Sequence, residues 1–157
     1  QGDATNLPFG DSEFDVVWTE HVAMNIPDKR RLYSEMYRVL KPGGRLAIYD
    51  VLTGFSEPVL FPVPWARTPD TSFLVSPKEL RHLLLDSGFT ISDWKDTTAE
   101  ARVWFVNLAE RIRRDGFPVL GFHLLMGPDF RAMAQNQGRN LEEGRISLGQ
   151  IVSVKKQ

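Results

Sequence analysis

Cysteine is absent from the chain. That excludes disulfide cross-links, thiolate nucleophiles and zinc sites built on sulfur. The histidines His21, His82 and His123 show no ligand spacing, so no metal is expected. Charge of one sign is lacking too: 19 Lys and Arg stand against 20 Asp and Glu, a net charge of −1. No basic field draws the protein to nucleic acid or to an acidic membrane surface, which leaves a small molecule as the expected partner. The apolar runs fall far short of the roughly 20 residues of a membrane helix, and no signal peptide is visible. The expectation is a cytoplasmic protein with neither a nucleic-acid nor a membrane partner. Repeats, low-complexity tracts and interdomain linkers are also missing, so residues 1–157 read as one domain.

What is present fills one core: 42% of the 157 residues are hydrophobic. "FDVVW" (Phe14 to Trp18) follows the turn residues Gly10, Asp11 and Ser12 and predicts a buried strand. "DKRRLYSEMYRVL" puts Leu32, Met36, Val39 and Leu40 on one helical face, with Asp28 in its first turn and Lys41 at its end, the signs the helix dipole favours. Pro42 stops that helix, and Gly43 and Gly44 take positive φ at little cost, so the chain is expected to reverse tightly into the strand "RLAIYDV". Strand, helix and strand make a right-handed βαβ unit.

Leu52 to Val75 is a proline-dense loop carrying Phe55, Phe61, Trp65 and Phe73, and a long aromatic loop after a strand's C-terminal end commonly serves function. "SPKELRHLLLDSGF" predicts a helix with Ser76 as N-cap, Pro77 at N1, Glu79 at N3 and a stop at Gly88. "TISDWKDTT" reads as a strand and "AEARVWFVNLAERIRRDG" as a helix ending at Gly116. A further helix in "GPDFRAMAQNQGRNLEEG" is expected to break or end near Gly138, and "RISLGQIVSV" closes as a strand interrupted at Gly149. The order fits an α/β sheet whose last strands need not be parallel.

"GDATNLPFGDSEFDVVW", then "MNIPDK" and "RVLKPGGRLAIYD", resembles the second half of a class I S-adenosylmethionine-dependent methyltransferase, of the group that includes quinone-biosynthesis and glycine, sarcosine and dimethylglycine methyltransferases. The resemblance is one of motifs over Gly2 to Asp50 and of element order beyond. It implies a Rossmann-like sheet with an antiparallel last strand, of which Phe14 to Trp18 is the fourth strand, Leu46 to Val51 the fifth, Thr90 to Asp96 the sixth and Ile146 to Val154 the seventh. It implies S-adenosyl-L-methionine as cofactor, Asp3 accepting from the adenine amine, the Ala4 backbone at the ring edge, and Thr19, Glu20 and His21, just after the fourth strand, beside the methionine part. The family's glycine-rich loop after the first strand and acidic residue after the second have no counterpart here. The chain begins without Met and reads as a partial domain whose N-terminal part is missing.

His21 is the candidate catalytic base or acceptor-binding donor, with a satisfied non-catalytic histidine as the alternative. Glu20 and Asp50 are candidates to attract an ammonium or the sulfonium, with a cap or a solvated carboxylate as the alternative for either. Asn25, Trp65, Phe73, Trp104 and His123 are the candidate acceptor pocket, where aromatic faces would hold a cationic amine; core packing is the competing reading, strongest for Phe105 and Met126. A sulfonium is already an activated methyl donor, so alignment and water exclusion suffice, and no conspicuous catalytic cluster is needed. The expected acceptor is a small molecule with an N-, O- or C-nucleophile, amines of the glycine type first and a quinol next. The alternatives are a non-catalytic module that self-associates, as a homo-oligomer, through an exposed sheet edge, and, more weakly, a dinucleotide oxidoreductase.

Overall fold

In the computed structural model, which describes residues 2–116 and 118–156, four strands form one mixed sheet in the order β1-β2-β4-β3. β1 spans Phe14–Glu20 and β2 Leu40–Thr53; β3 spans Phe89–Asp96 and β4 Ile146–Lys155. β1 and β2 are parallel, joined through helix α1 (Lys29–Val39), whereas β4 runs antiparallel between β2 and β3. All four expected strands are therefore found, and the last is antiparallel and inserted beside the second, as the α/β resemblance implied; β1, expected to be buried, instead lies at the sheet edge with Val16 and Trp18 exposed.

The α1 helix starts because Asp28 is its N-cap: Oδ1 accepts the Arg31 amide at 2.9 Å. Its C-terminus is capped by a residue the sequence did not suggest. Lys155 from β4 donates through Nζ to the Tyr37 carbonyl at 2.9 Å and the Leu40 carbonyl at 2.6 Å, the place for a cation at a helix end. Lys41, expected in that role, lies in β2 and pairs with Asp15 at 2.9 Å instead.

The "KPGG" segment is not a tight reversal outside the sheet. β1 advances from Phe14 to Val16 while β2 advances from Leu40 to Arg45, so Lys41 to Gly44 bulge out of an already started strand. Gly43 has φ +79°, and a Cβ on Gly44 would stand 2.8 Å from the Lys41 carbonyl oxygen and 3.1 Å from that of Asp15. Each glycine is therefore required, one for conformation and one for clearance.

One face of the sheet is covered by α1 and by α2 (Pro77–Asp86), which opens with the expected capping box of Ser76 and Glu79. Leu32, Tyr33, Leu46, Ile48, Leu84 and Ile151 centre this core. The other face carries the smaller cluster of Met24, Val51, Leu141, Ile146 and Leu148, under α3 (Thr98–Asp115) and α5 (Phe130–Glu142), while the five-residue α4 (Phe122–Met126) packs on α5. Phe105 packs partly buried against that cluster. The α5 helix passes through Gly138 unbroken, because the position opens outward and packing at Met133, Gln137, Asn140 and Leu141 fixes both sides of it. β4 likewise runs through Gly149, which pairs with Asp50 on one side and Asp96 on the other.

Candidate functional site

The C-terminal ends of β1 and β2, where an α/β sheet places its ligands, carry the first group of candidates. β1 is longer than the sequence suggested: Thr19 and Glu20 lie within it, paired with Ile48 and Tyr49. The pairing continues one step further, since the His21 amide donates to the Tyr49 carbonyl at 2.9 Å. Thr19 is buried with no hydrogen bond to its hydroxyl among the described residues, and Glu20 is exposed. His21 alone directly follows the strand. It takes φ +52°, an uncommon conformation for a residue with a side chain, and its ring lies 4.9 Å from that of Tyr49. Partial desolvation lowers the His21 pKa below the usual imidazole value, opposed by the neighbouring Glu20 carboxylate. The imidazole is thus biased to its neutral form, the form that accepts a proton.

The loop of Gly2 to Asp11 forms the second group. Asp3 folds it locally: Oδ1 accepts the Thr5 amide at 2.8 Å and the Thr5 hydroxyl at 2.7 Å, and these bonds hold the Asp3 carboxyl below the usual range. The loop is then fastened along α1. Arg31 donates to the Thr5 carbonyl at 2.9 Å, the Leu7 amide donates to Glu35 at 2.8 Å, and Arg38 donates to the Phe9 carbonyl at 2.8 Å and to Asp11 at 2.8 Å. Glu35 is the buried centre of this set; the paired Arg38 guanidinium holds its carboxyl down at about 2. Asp3 thus presents its carboxylate at the surface of a loop with little freedom, and Ala4 packs half-buried beneath it. Arg31, Glu35 and Arg38 were not singled out in the sequence, although their i, i+4 and i+3 spacing on the polar face of α1 was readable.

The third group gathers around the turn after β1. Asn25, in the short 3-10 turn Ala23–Asn25, donates from Nδ2 to the Trp65 carbonyl at 2.7 Å and the Thr71 carbonyl at 3.1 Å. The Phe73 amide donates to the Met24 carbonyl at 2.8 Å, and the Trp65 indole donates to Ser72 at 3.0 Å. Asn25, Trp65 and Phe73 are therefore brought together just beyond His21. Asp50 is a cap: its carboxylate, 2% exposed, accepts the Ala23 amide at 3.0 Å and its own neighbour's amide, Val51, at 3.1 Å. Burial pushes the Asp50 carboxyl up to about 6.

Trp104 and His123 lie on α3 and α4. Trp104 is exposed on α3 and lines a shallow hollow with Asn107, Leu108, Glu110, Arg111 and Arg114 of the same helix. His123 on α4 meets Phe130, with ring centroids 6.1 Å apart. The aromatic loop is tied to α5 rather than free: Asn140, fully buried, pairs with both the amide and the carbonyl of Leu60, at 2.8 and 3.0 Å, and Asn136 donates to the Pro62 carbonyl at 3.0 Å. Arg67 adds an ion pair to Asp129. Among the described residues no group of three or more His, Asp and Glu is placed to hold a metal ion, and no helix is long and apolar enough to cross a membrane.

Comparison with known proteins adds four findings. Residues 1–48 match the methyltransferase domain family. Demethylmenaquinone methyltransferase of Streptomyces avermitilis is 34% identical over 128 residues, which cover 80% of this chain and 52% of that protein. The chain thus spans about half the length of that relative. In fold it is similar over 99% of its length to a putative sarcosine dimethylglycine methyltransferase from Galdieria sulphuraria (TM-score 0.76, 21% identity, 58% of that chain). It is also similar over 99% to phosphoethanolamine N-methyltransferase 2 of Haemonchus contortus, solved with phosphomonomethylethanolamine and S-adenosylhomocysteine (TM-score 0.77, 20% identity, 36% of that chain).

Proposed function

Because the chain belongs to the class I S-adenosylmethionine-dependent methyltransferases, we propose that its strand ends form part of a crevice in which a methyl group passes to a small-molecule acceptor, with His21 as the base. The carrying observation is the positive-φ His21, neutral in tendency and held at the end of β1 next to the Asn25, Trp65 and Phe73 cluster. The residues present suit the adenine end of the cofactor: Asp3 is an exposed acceptor on a braced loop, and Ala4 gives a small apolar neighbour. When bound, S-adenosyl-L-methionine supplies a methyl group already activated on a sulfonium. What the protein adds is alignment, exclusion of water and removal of a proton from the acceptor. Glu20, exposed at the end of β1, is assigned to the cofactor side, and Thr19 serves it only through the backbone, since its side chain is buried.

The similarity in sequence to demethylmenaquinone methyltransferase shifts the favoured acceptor from an amine to a hydroxylated aromatic ring of the quinol type. An imidazole that accepts a phenolic proton raises the nucleophilicity of the adjacent ring carbon, and the aromatic side chains at 65 and 73 suit a flat ring. Trp104 and His123 are left out of this pocket. Isothermal titration of the 157-residue protein with S-adenosylhomocysteine tests the reading. Micromolar affinity is expected, and no heat at millimolar ligand overturns it for this chain.

A second reading, a non-catalytic module that self-associates, is favoured by one observation. β1 is an edge strand on which Val16 and Trp18 are 58% and 71% exposed. The solution mass, measured beside the titration, separates the two.

A further inference from the structure

Lysines on the first turn of a surface helix normally leave their ammonium in water. Lys29, the first residue of α1, does the opposite and is 6% exposed. Its Nζ donates to the Phe73 carbonyl at 2.6 Å and to the Ile26 carbonyl, and it lies 6.0 Å from the Phe73 ring centroid. The buried Asp50 carboxylate is within electrostatic range, favouring the charged Lys29, while burial disfavours charge on both groups. Holding two such charges inside is costly unless they are paired and hydrogen-bonded. The chain bears that cost where the turn after β1 meets the aromatic loop.

Four hydrogen bonds cross that junction: Lys29 to the Phe73 carbonyl, the Phe73 amide to the Met24 carbonyl, and Asn25 to the Trp65 and Thr71 carbonyls. Asp50 anchors the turn beneath them by accepting the Ala23 amide. Only the Lys29 bond is charge-assisted among the four, and it also reaches the Ile26 carbonyl on its own side of the junction. We propose that Lys29 is the positioning residue of the acceptor wall: its buried ammonium fastens the Phe73 carbonyl to the turn after β1 and so sets where Asn25, Trp65 and Phe73 stand relative to His21. The assignment of that wall to the acceptor rests on the methyl-transfer reading; the latch itself does not.

Lys29→Met keeps the packed stem and removes the ammonium. Hydrogen exchange of the 157-residue protein, followed by mass spectrometry at one pH, should show residues 63–75 exchanging at least tenfold faster in the variant. The β2–β4 ladder and α2 should keep their rates. Unchanged exchange at 63–75 overturns the proposal, because the stem alone would then suffice; an equal rise across the whole sheet also overturns it, because the role would be general stability. Should Lys29→Met fail to fold, Asp50→Asn removes the counter-charge and should loosen residues 22–28 and 63–75 alone, with unchanged rates there counting against the latch. The affinity of Lys29→Met for S-adenosylhomocysteine should stay within twofold of wild type, since the Asp3 loop is braced separately by Glu35 and Arg38; a tenfold loss overturns an acceptor-side role. If the wild type itself binds no S-adenosylhomocysteine, the methyl-transfer reading falls while the exchange result still decides the latch.

Discussion

A side chain held at positive φ costs on the order of 1–3 kcal/mol, and His21 is held there by its own amide bond to Tyr49 and by the ring contact beneath it. If that conformation serves proton removal, His21→Asn is the informative change, because asparagine tolerates positive φ and cannot act as a base. Methyl transfer to a quinol acceptor should fall about 10²–10⁴-fold with little change in melting temperature. In the wild type the rate should fall as pH drops below the lowered imidazole pKa, since the protonated ring has no lone pair to offer. A rate in His21→Asn equal to wild type would assign the histidine to packing. Asp50 gives a second test at this scale. Its carboxyl is raised from 3.8 to about 6 in the folded state, so the neutral form is favoured by folding. The stability it contributes is complete below pH 3.8 and is lost as pH rises through about 6. Asp50→Asn does not titrate, so denaturant melts should show the wild type losing about 2–3 kcal/mol relative to the variant between pH 4 and pH 7. A difference that is flat with pH would mean that Asp50 titrates normally.

Among the elements, the loop from Gly54 to Val75 gains its order from side chains distant in sequence. Asn140 acts on Leu60 as a neighbouring strand would, offering one acceptor and one donor to the same residue. Asn140→Ala leaves the Leu60 amide and carbonyl without those partners and should cost about 1–3 kcal/mol in chemical denaturation, with the loss concentrated in exchange at residues 57–63. The same reasoning explains what could be read in advance. Ser76, Pro77 and Glu79 act within one helical turn, so the start of α2 was legible, as were the strands at 14–18 and 46–51 from their β-branched and apolar runs. Motif likeness, not periodicity, supplied the antiparallel placement of β4. Lys29 was opaque because a lysine in "PDKRRL" is indistinguishable from its exposed neighbours Arg30 and Arg31 until the Phe73 carbonyl arrives from the far loop. Trp104 shows the converse limit: an aromatic residue on a helix reads as pocket or core, and its exposure on α3 was not readable from the sequence. Gly138 and Gly149 were read as breaks because local propensity was weighed without the packing that carries α5 and β4 through them.

For the molecule as a whole, the decisive feature is which sheet edge is open. β2 and β4 are paired on both sides, so β1 and β3 are the edges among the described strands. β1 is the parallel one; its Trp18 continues an apolar row through Ala47 and Val152, and both Val16 and Trp18 are exposed. An edge strand with a large exposed indole is a template for another strand. The 157-residue protein should therefore associate with rising concentration in analytical ultracentrifugation, in the range of tens of micromolar. Trp18→Lys should restore the monomer, since a charge on the edge opposes strand addition at small cost where the native side chain is already solvated. The same variant should retain its S-adenosylhomocysteine affinity if the crevice is built within one chain. If affinity and association are lost together, the crevice is completed by a second copy across β1, and the methyl-transfer and self-association readings become one.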